Sequence, residues 1–197
     1  MLAKRLFDII SSLIGLGLFS PFFILICALI LVTSKGGIFY SQIRVGKGKK
    51  DFKLLKFRTM KPGSDKAGQI TVGTNDSRIT RVGIFLRKFK FDEIPQLINV
   101  IKGEMSIVGP RPEVPKYVNL YSEEQLKILT VRPGLTDLAS IEFINENELL
   151  GKAKNPEKEY VEVIMPKKLA LNIQYIDTQS FLGDIKLIFK TFGKILK

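Results

Sequence analysis

The sequence predicts an α+β fold: a membrane-seated helical segment over residues 1–34, then a small mixed domain over residues 35–197 with a β-hairpin, several helices and interfacial amphipathic helices. Three observations carry this. Residues 6–32 form an apolar run of 27 residues with Asp8 as its only charge, where a bilayer-spanning helix needs about 20. A partly alternating, β-branched and aromatic segment, IFYSQIRV, is joined through GKGKKD to DFKLLKFRTM, the pattern of two strands and a turn. Helical periodicity governs much of the rest, most clearly at the C-terminus.

The apolar run contains Ser20 and Pro21 near its centre. Proline removes one backbone donor and clashes with the carbonyl four residues back, so a helix through it bends, and the Ser20 hydroxyl can satisfy part of the freed backbone. Each arm beside the bend is too short to span. Lys4 and Arg5 precede the run, and Lys35, Arg44, Lys47, Lys49 and Lys50 follow it, so the positive-inside rule places both flanks on the cytoplasmic side. A re-entrant helical hairpin satisfies this; a kinked spanning helix, with Lys4 and Arg5 as a weak signal, also fits. Asp8 is expected to snorkel to the interface or to pair with Lys4 or Arg5. A cleaved signal peptide fits poorly, because the apolar stretch is too long and TSKGG follows it.

Beyond the hairpin, residues 61–77 are rich in Gly, Ser, Asp and Asn and read as a functional loop or lid. Residues 78–106 carry helical patterning interrupted at Pro95. In VGPRPEVP, Pro110, Pro112 and Pro115 hold an extended path. Residues 121–129 read as a short helix with Ser122 as its N-cap, and RPGLTD as a turn. At the C-terminus Phe181, Leu182, Ile185, Ile188, Phe189, Phe192, Ile195 and Leu196 share one stripe, with Lys186, Lys190, Lys194 and Lys197 to one side. That stripe suits an anionic membrane surface, or equally a core beneath a surface helix.

The chain has 197 residues, enough for one domain with a real core. Thirty-one Lys and Arg against 19 Asp and Glu give a net charge of +12, which points to an anionic partner: lipid headgroups, phosphorylated substrates or nucleic acid. There is no histidine and one cysteine, Cys27. A Ser-His-Asp triad, a His base, Cys/His zinc sites and an intrachain disulfide are therefore excluded. Any catalysis must rest on carboxylates, Lys, Arg, Tyr, hydroxyls or an oxygen-ligated metal.

LRKFKFDEIPQ is the richest constellation. Asp92 and Glu93 follow Arg87, Lys88 and Lys90, cations that keep carboxylates ionised and lower their pKa. An ionised Asp can be a nucleophile, and a neighbouring Glu can ligate a hard divalent cation. Alternatively the two acids complement the N-terminal end of a helix starting at Ile94. A second set comprises Lys56 and Arg58 in KFRTM, Arg78 and Arg81 in SRITR, Arg111 in GPRP and Arg132 in VRPG, residue types that suit phosphate recognition. A solvated basic face explains most lysines, and explains less well the arginines set among prolines.

KRLFDIISS, the Ser20-Pro21 break, FYSQIRVG, KFRTM, LRKFKFDEIPQLINVIKGEMSIVGPRPE and VRPGLT together make the chain resemble, over nearly its whole length, the small monotopic phosphoglycosyl transferases of bacteria. The resemblance implies a re-entrant membrane helix broken at Ser20 and Pro21, dipping into the inner membrane from the cytoplasmic face. It implies that Asp92 attacks the sugar-bearing phosphate of a UDP-sugar, expels UMP, and passes the phosphosugar to polyprenyl (undecaprenyl) phosphate, the first membrane step of assembling a glycoconjugate such as an exopolysaccharide. Glu93 would hold Mg²⁺, and Lys56, Arg58, Arg87 and Arg111 would clamp phosphates. Two departures stand out. TDLASIEFINEN lacks the Gly-Arg step of many members, and Asn172 stands where many carry Asp, after a longer segment containing VIMPKK. The alternative is a non-catalytic basic module that binds anionic lipid or an assembly partner. Nucleic acid is not expected, since no helix-turn-helix, zinc finger or RRM signature is present.

Overall fold

The computed structural model describes residues 2–64 and 76–195, so most of the stretch read as a loop or lid lies outside the described residues. Two helices open the chain, α1 (Leu2–Leu18) and α2 (Ser20–Thr33), bent by 63° at the break. Pro21 sits in the first turn of α2, where its missing N–H costs nothing, and the Ser20 hydroxyl donates to the Gly17 carbonyl at 2.8 Å. Among the described residues no single helix is long and apolar enough to cross a membrane; the bent pair together passes that test. Leu6, Ile10, Leu13 and Leu18 of α1 and Ile24, Leu25, Leu31 and Val32 of α2 are exposed. So broad an apolar face on outer helices marks a surface made for another apolar phase or partner.

The opposite face of α1 is stitched to the rest of the chain. Asp8, 2% exposed, accepts from the Ser106 hydroxyl at 2.8 Å and the Ile107 N–H at 3.2 Å. It therefore neither snorkels nor pairs with Lys4 or Arg5: two donors on one neighbouring strand satisfy it inside the protein. Lys4 instead reaches Asp184 at 2.5 Å and the Val108 carbonyl at 3.0 Å. Arg5 donates to the carbonyls of Val100 and Ile101 at 2.7 and 2.9 Å, closing a helix end whose carbonyls lack intrahelical partners. These contacts tie residues 1–34 to the remainder on the side away from the exposed face.

The expected hairpin is present as β1 (Phe39–Val45) and β2 (Asp51–Phe57), antiparallel with Phe39 opposite Phe57 and Tyr40 opposite Lys56. Phe57 packs with Ile26 and Ile30 of α2 and with Leu86 of α3 (Arg81–Lys88). A single 3₁₀ turn, Phe91–Glu93, leads to α4 (Gln96–Lys102), so the interruption begins after Lys88, earlier than read, and ends at Pro95, the N-cap of α4. The chain then runs through β3 (Ser106–Val108) and the extended Gly-Pro-Arg-Pro segment. Pro115 departs from the expected extended path: it occupies the first turn of a short helix, α5 (Pro115–Val118), a position proline tolerates. The expected helix at residues 121–129 is a 3₁₀ segment, Gln125–Thr130, and Ser122 caps it by accepting from the Gln125 N–H at 3.3 Å.

β4 (Gly134–Thr136) pairs in parallel with β3, and their backbones are nearly in contact. A Cβ added at Gly134 would stand 2.1 Å from the Gly109 nitrogen. Gly134→Ala must therefore part the two strands, an overpacking cost of about 1–3 kcal/mol that for this size is a Tm lower by roughly 2–12 °C. An unchanged Tm by differential scanning fluorimetry would show that the strands separate freely.

The remaining chain, with a weak pattern over residues 142–168 and a clear one at the C-terminus, is helical: α6 (Leu138–Glu142), α7 (Glu146–Lys152), α8 (Pro156–Glu159), a π-helical turn at Tyr160–Ile164, α9 (Met165–Thr178) and α10 (Phe181–Ile195). Tyr117, Ile128, Leu150, Tyr160 and Leu169 build the largest core cluster. The C-terminal helix packs on the chain along one side and leaves apolar residues outside along the other. α10 buries Asp184 against Lys4 and Tyr175, while Leu182, Phe189 and Phe192 remain exposed. Among the described residues the molecule is thus a mixed arrangement of helices and two small strand pairs.

Candidate active site

Four elements converge on one cavity of about 780 Å³. β2 brings Lys56, the end of α3 brings Arg87, the 3₁₀ turn brings Asp92 and Glu93, and the proline segment after β3 brings Arg111. Lys90 joins them from a left-handed conformation, φ 58° and ψ 18°, that turns the chain from α3 into the dyad. Side chains other than Gly, Asn and Asp rarely adopt this, and such strain gathers at functional sites.

The two carboxylates are buried, Asp92 at 5% and Glu93 at 8% exposure, and their surroundings differ. Glu93 is held by cations. Its Oε1 accepts from Lys56 Nζ at 2.8 Å and from Arg111 Nη2, and its Oε2 accepts from Arg111 Nη1 at 3.3 Å, a two-pronged guanidinium grip. These partners are side-chain cations, not the backbone N–H groups of α4, so complementing a helix end does not account for the pair. Asp92 is left open: its Oδ2 lies 4.0 Å from Lys56 Nζ, and its Oδ1 has no hydrogen-bond partner among the described residues.

Electrostatics separates them further. Burial pushes the Glu93 carboxyl up, but the charges of Arg111, Lys56 and Lys90 outweigh it and hold it well below the usual carboxylate range. Burial also raises Asp92, and repulsion by Glu93 adds to it; Lys56, Arg87 and Lys90 offset only part. This corrects the expectation that nearby cations lower both pKa values, because desolvation of Asp92 exceeds their attraction. Two acids pushed apart in this way have different parts to play. If turnover needs Asp92 ionised, the acid limb of kcat/KM against pH lies above the ordinary aspartate value, with activity gained as pH rises through it. A limb at or below that value would show that Asp92 is not the titrating group.

Arg111 is positioned by a residue the sequence reading missed. Asp137, fully buried, accepts the Arg111 backbone N–H at 2.9 Å through Oδ2, while its Oδ1 caps α6 by accepting the Ser140 N–H at 2.6 Å. The Thr-Asp step before a helical segment carried that signal. Arg87 donates from Nε to the Thr59 hydroxyl at 2.9 Å. Arg58 stands elsewhere: it holds the carbonyls of Gly37 and Phe39, each at 3.0 Å, and does not line the cavity. Arg78 pairs with Asp76, and Arg132 donates to the Gly103 carbonyl at 2.8 Å. Ser20 and Pro21 lie at the helix break, with Phe19 beside them reaching the cavity wall.

Among the described residues no group of three or more His, Cys, Asp or Glu is placed to hold a metal. Magnesium, however, is commonly bound through one or two carboxylates together with substrate phosphates. The unpartnered, buried Asp92 Oδ1 meets that requirement. Glu93 Oε2 accepts a single hydrogen bond, from Arg111 Nη1 at 3.3 Å, and keeps a second acceptor position, so the Glu93 carboxylate fits as well.

A buried carboxylate pair, one member locked to cations and the other unpartnered beside a cavity edged with positive charge, suits phosphorylated substrates. The whole-chain comparison agrees in class: the bacterial sugar transferase family matches residues 1–197, and the chain belongs to that family. It is 37% identical to the exopolysaccharide production protein ExoY of Rhizobium meliloti, with 98% of this chain and 85% of that protein covered. It is 35% identical to the UDP-glucose:undecaprenyl-phosphate glucose-1-phosphate transferase of Caulobacter vibrioides, covering 99% and 70% respectively. The UDP-N-acetylgalactosamine-undecaprenyl-phosphate N-acetylgalactosaminephosphotransferase of Aeromonas hydrophila is also 35% identical, and there the chain covers 43% of the longer relative.

Proposed function

We propose that this protein transfers a sugar-1-phosphate from a UDP-sugar to undecaprenyl phosphate, or a related polyprenyl phosphate, through a covalent phosphosugar on Asp92. The observation that carries the reading is the open Oδ1 of Asp92, buried without a partner in a cavity also lined by Lys56, Arg87, Lys90 and Arg111. The relatives' names support the donor and acceptor classes.

In the first step an Asp92 carboxylate oxygen attacks the phosphorus that bears the sugar. The bond from that phosphorus to the bridging oxygen breaks, and UMP leaves with the electron pair. In the second, an oxygen of the polyprenyl phosphate attacks the same phosphorus, the bond to Asp92 breaks, and the carboxylate is restored. No histidine is needed, because neither step requires a proton to be taken from a neutral nucleophile. Lys56 and Arg111, held by Glu93, and Arg87 and Lys90 balance the negative charge that crowds the phosphorus. Arg58 acts from outside the cavity as a brace for the glycine turn before β1. When bound, Mg²⁺ would neutralise charge on the diphosphate and on the departing UMP; Glu93, through the remaining position on Oε2, and the donor phosphates would hold it, which leaves Asp92 Oδ1 for the attack.

The acceptor is a lipid, so the site belongs at the surface of the bacterial inner membrane, with α1 and α2 entering one leaflet from the cytoplasmic face and returning. A cysteine introduced as Leu2→Cys in a Cys27→Ser background should resist a membrane-impermeant maleimide added to the periplasm of spheroplasts. Labelling there would reject the re-entrant arrangement. The reaction is tested by incubating the membrane-embedded protein with Mg²⁺ and a panel of UDP-sugars without lipid acceptor, then recording its intact mass. A phosphosugar adduct that vanishes on adding polyprenyl phosphate is expected; turnover without any adduct, including in rapid-quench samples, would reject the covalent route.

A further inference from the structure

We propose that Asn172 is a donor-specificity residue: its side-chain carbonyl accepts a hydrogen bond from a hydroxyl or acetamido N–H of the donor's sugar. This rests on the function proposed above.

α9 forms one wall of the cavity, and Met165, Lys168, Leu169 and Asn172 line it. Their spacing of three, four and seven residues places them on one helix stripe. Met165 and Leu169 are apolar. Lys168 is engaged: its Nζ donates to Glu146 Oε2 at 2.6 Å and lies 5.5 Å from the centre of the Tyr160 ring. Asn172 is 4% exposed, and its Oδ1 has no hydrogen-bond partner among the described residues. Buried side-chain polar atoms nearly always find a partner, because leaving one unpaired costs the full desolvation of the group. An unpaired carbonyl on the wall of a ligand-sized cavity points to a partner that arrives with the ligand.

The chemistry of Oδ1 says which part of the ligand that is. A carbonyl oxygen only accepts, and phosphate oxygens are themselves charged acceptors, so it would repel the diphosphate. The phosphates have their cations elsewhere, at Lys56, Arg87, Lys90 and Arg111. Asn172 requires an O–H or N–H, and the transferred sugar carries several, whereas the nucleoside offers the uracil N–H and two ribose hydroxyls, all shared with UMP and so separated by its inhibition. It would then distinguish donors by the group they present, since a site built to hydrogen-bond a substrate hydroxyl rejects an analogue that lacks it.

The test compares the unsubstituted protein with Asn172→Leu, which removes the acceptor, and Asn172→Asp, which keeps it, all in nanodiscs with Mg²⁺ and polyprenyl phosphate. UMP release is followed for a panel of UDP-sugars, alongside inhibition by UMP and the Tm of each variant. Asn172→Leu should lower kcat/KM for the preferred donor by roughly ten- to a hundred-fold, flatten the ratio between donors, and leave inhibition by UMP unchanged. Asn172→Asp should retain more of the original ratio. An unchanged donor ratio in both variants, whether or not the Tm falls, would make Asn172 structural and overturn the assignment. A uniform fall with weaker UMP inhibition would move it to the base or the ribose and overturn it as well. If the unsubstituted protein turns over no UDP-sugar, the proposed function fails first, and this assignment falls with it.

Discussion

Asp92→Asn is expected to lower UMP release by roughly a thousand-fold or more and to abolish the phosphosugar adduct, while the Tm at neutral pH stays level or rises. The first part follows from losing the nucleophile, since a carboxamide cannot form the acyl phosphate. The second follows from the direction of the Asp92 shift. An acid whose folded pKa lies above its unfolded value is held more readily in its protonated form, so its contribution favours folding at low pH and turns against it as pH rises past the unfolded value. The neutral amide mimics the form the site tolerates best. Loss of activity with gain of stability separates a reacting carboxylate from one that holds the fold. A variant that retains substantial turnover would remove Asp92 from the mechanism, and the non-catalytic basic module would then be the better account.

Arg111→Met is the second large effect, and here activity and stability should fall together. It removes both guanidinium contacts from Glu93, whose side chain is 11% exposed, and leaves Lys56 as its only ion-pair partner among the described residues. Breaking a buried pair by removing one partner costs about 3–5 kcal/mol; because the Arg111 side chain is 32% exposed, roughly 2–3 kcal/mol is the more apt figure. Turnover should drop by about a hundred-fold or more through loss of a cation beside the phosphates. Arg111→Lys should recover part of the charge without the fork. The pH dependence is the sharper check. In the unsubstituted protein the depressed Glu93 pKa contributes stability above the unfolded glutamate value, lost only as pH falls through the still lower folded one. In Arg111→Met the buried carboxylate lacks half its cations and is relieved by protonation. The deficit in Tm should therefore narrow from pH 7 to pH 5, and a constant deficit would show that Arg111 acts by packing alone.

How much of this was legible in the sequence depends on the range of the interaction. The hairpin, the break at Ser20-Pro21, the interruption at Pro95 and the amphipathic C-terminal stripe are local: turn chemistry, proline sterics and periodicity express themselves within a few residues. Residues 142–168 carried no clear period, and their short helices are set by packing around Tyr117, Tyr160 and Leu169. Asp8 shows the limit most plainly. Beside Lys4 and Arg5 in the chain, it pairs with neither, because Ser106 and Ile107 of β3 satisfy it, while Lys4 and Arg5 bind Asp184 and the carbonyls of Val108, Val100 and Ile101. The six candidate residues carried forward from motif matching divide in the same way. Lys56, Arg87, Asp92, Glu93 and Arg111 share a cavity, whereas Arg58 turns to the glycine turn before β1.

By itself the sequence determined that any catalysis must rest on carboxylates, Lys, Arg, Tyr, hydroxyls or an oxygen-ligated metal, that an apolar segment interrupted by proline opens the chain, and that Asp92 and Glu93 lie in a strongly basic setting. Only the tertiary structure decided which carboxylate is locked and which is open. That difference depends on Lys56, 37 positions before Glu93, and Arg111, 18 positions after it, both closing on Glu93. It depends equally on burial, which raises Asp92 in spite of its cationic neighbours. Desolvation and long-range ion pairing exist only once separate parts of the chain have met, and no local pattern of residues encodes their balance.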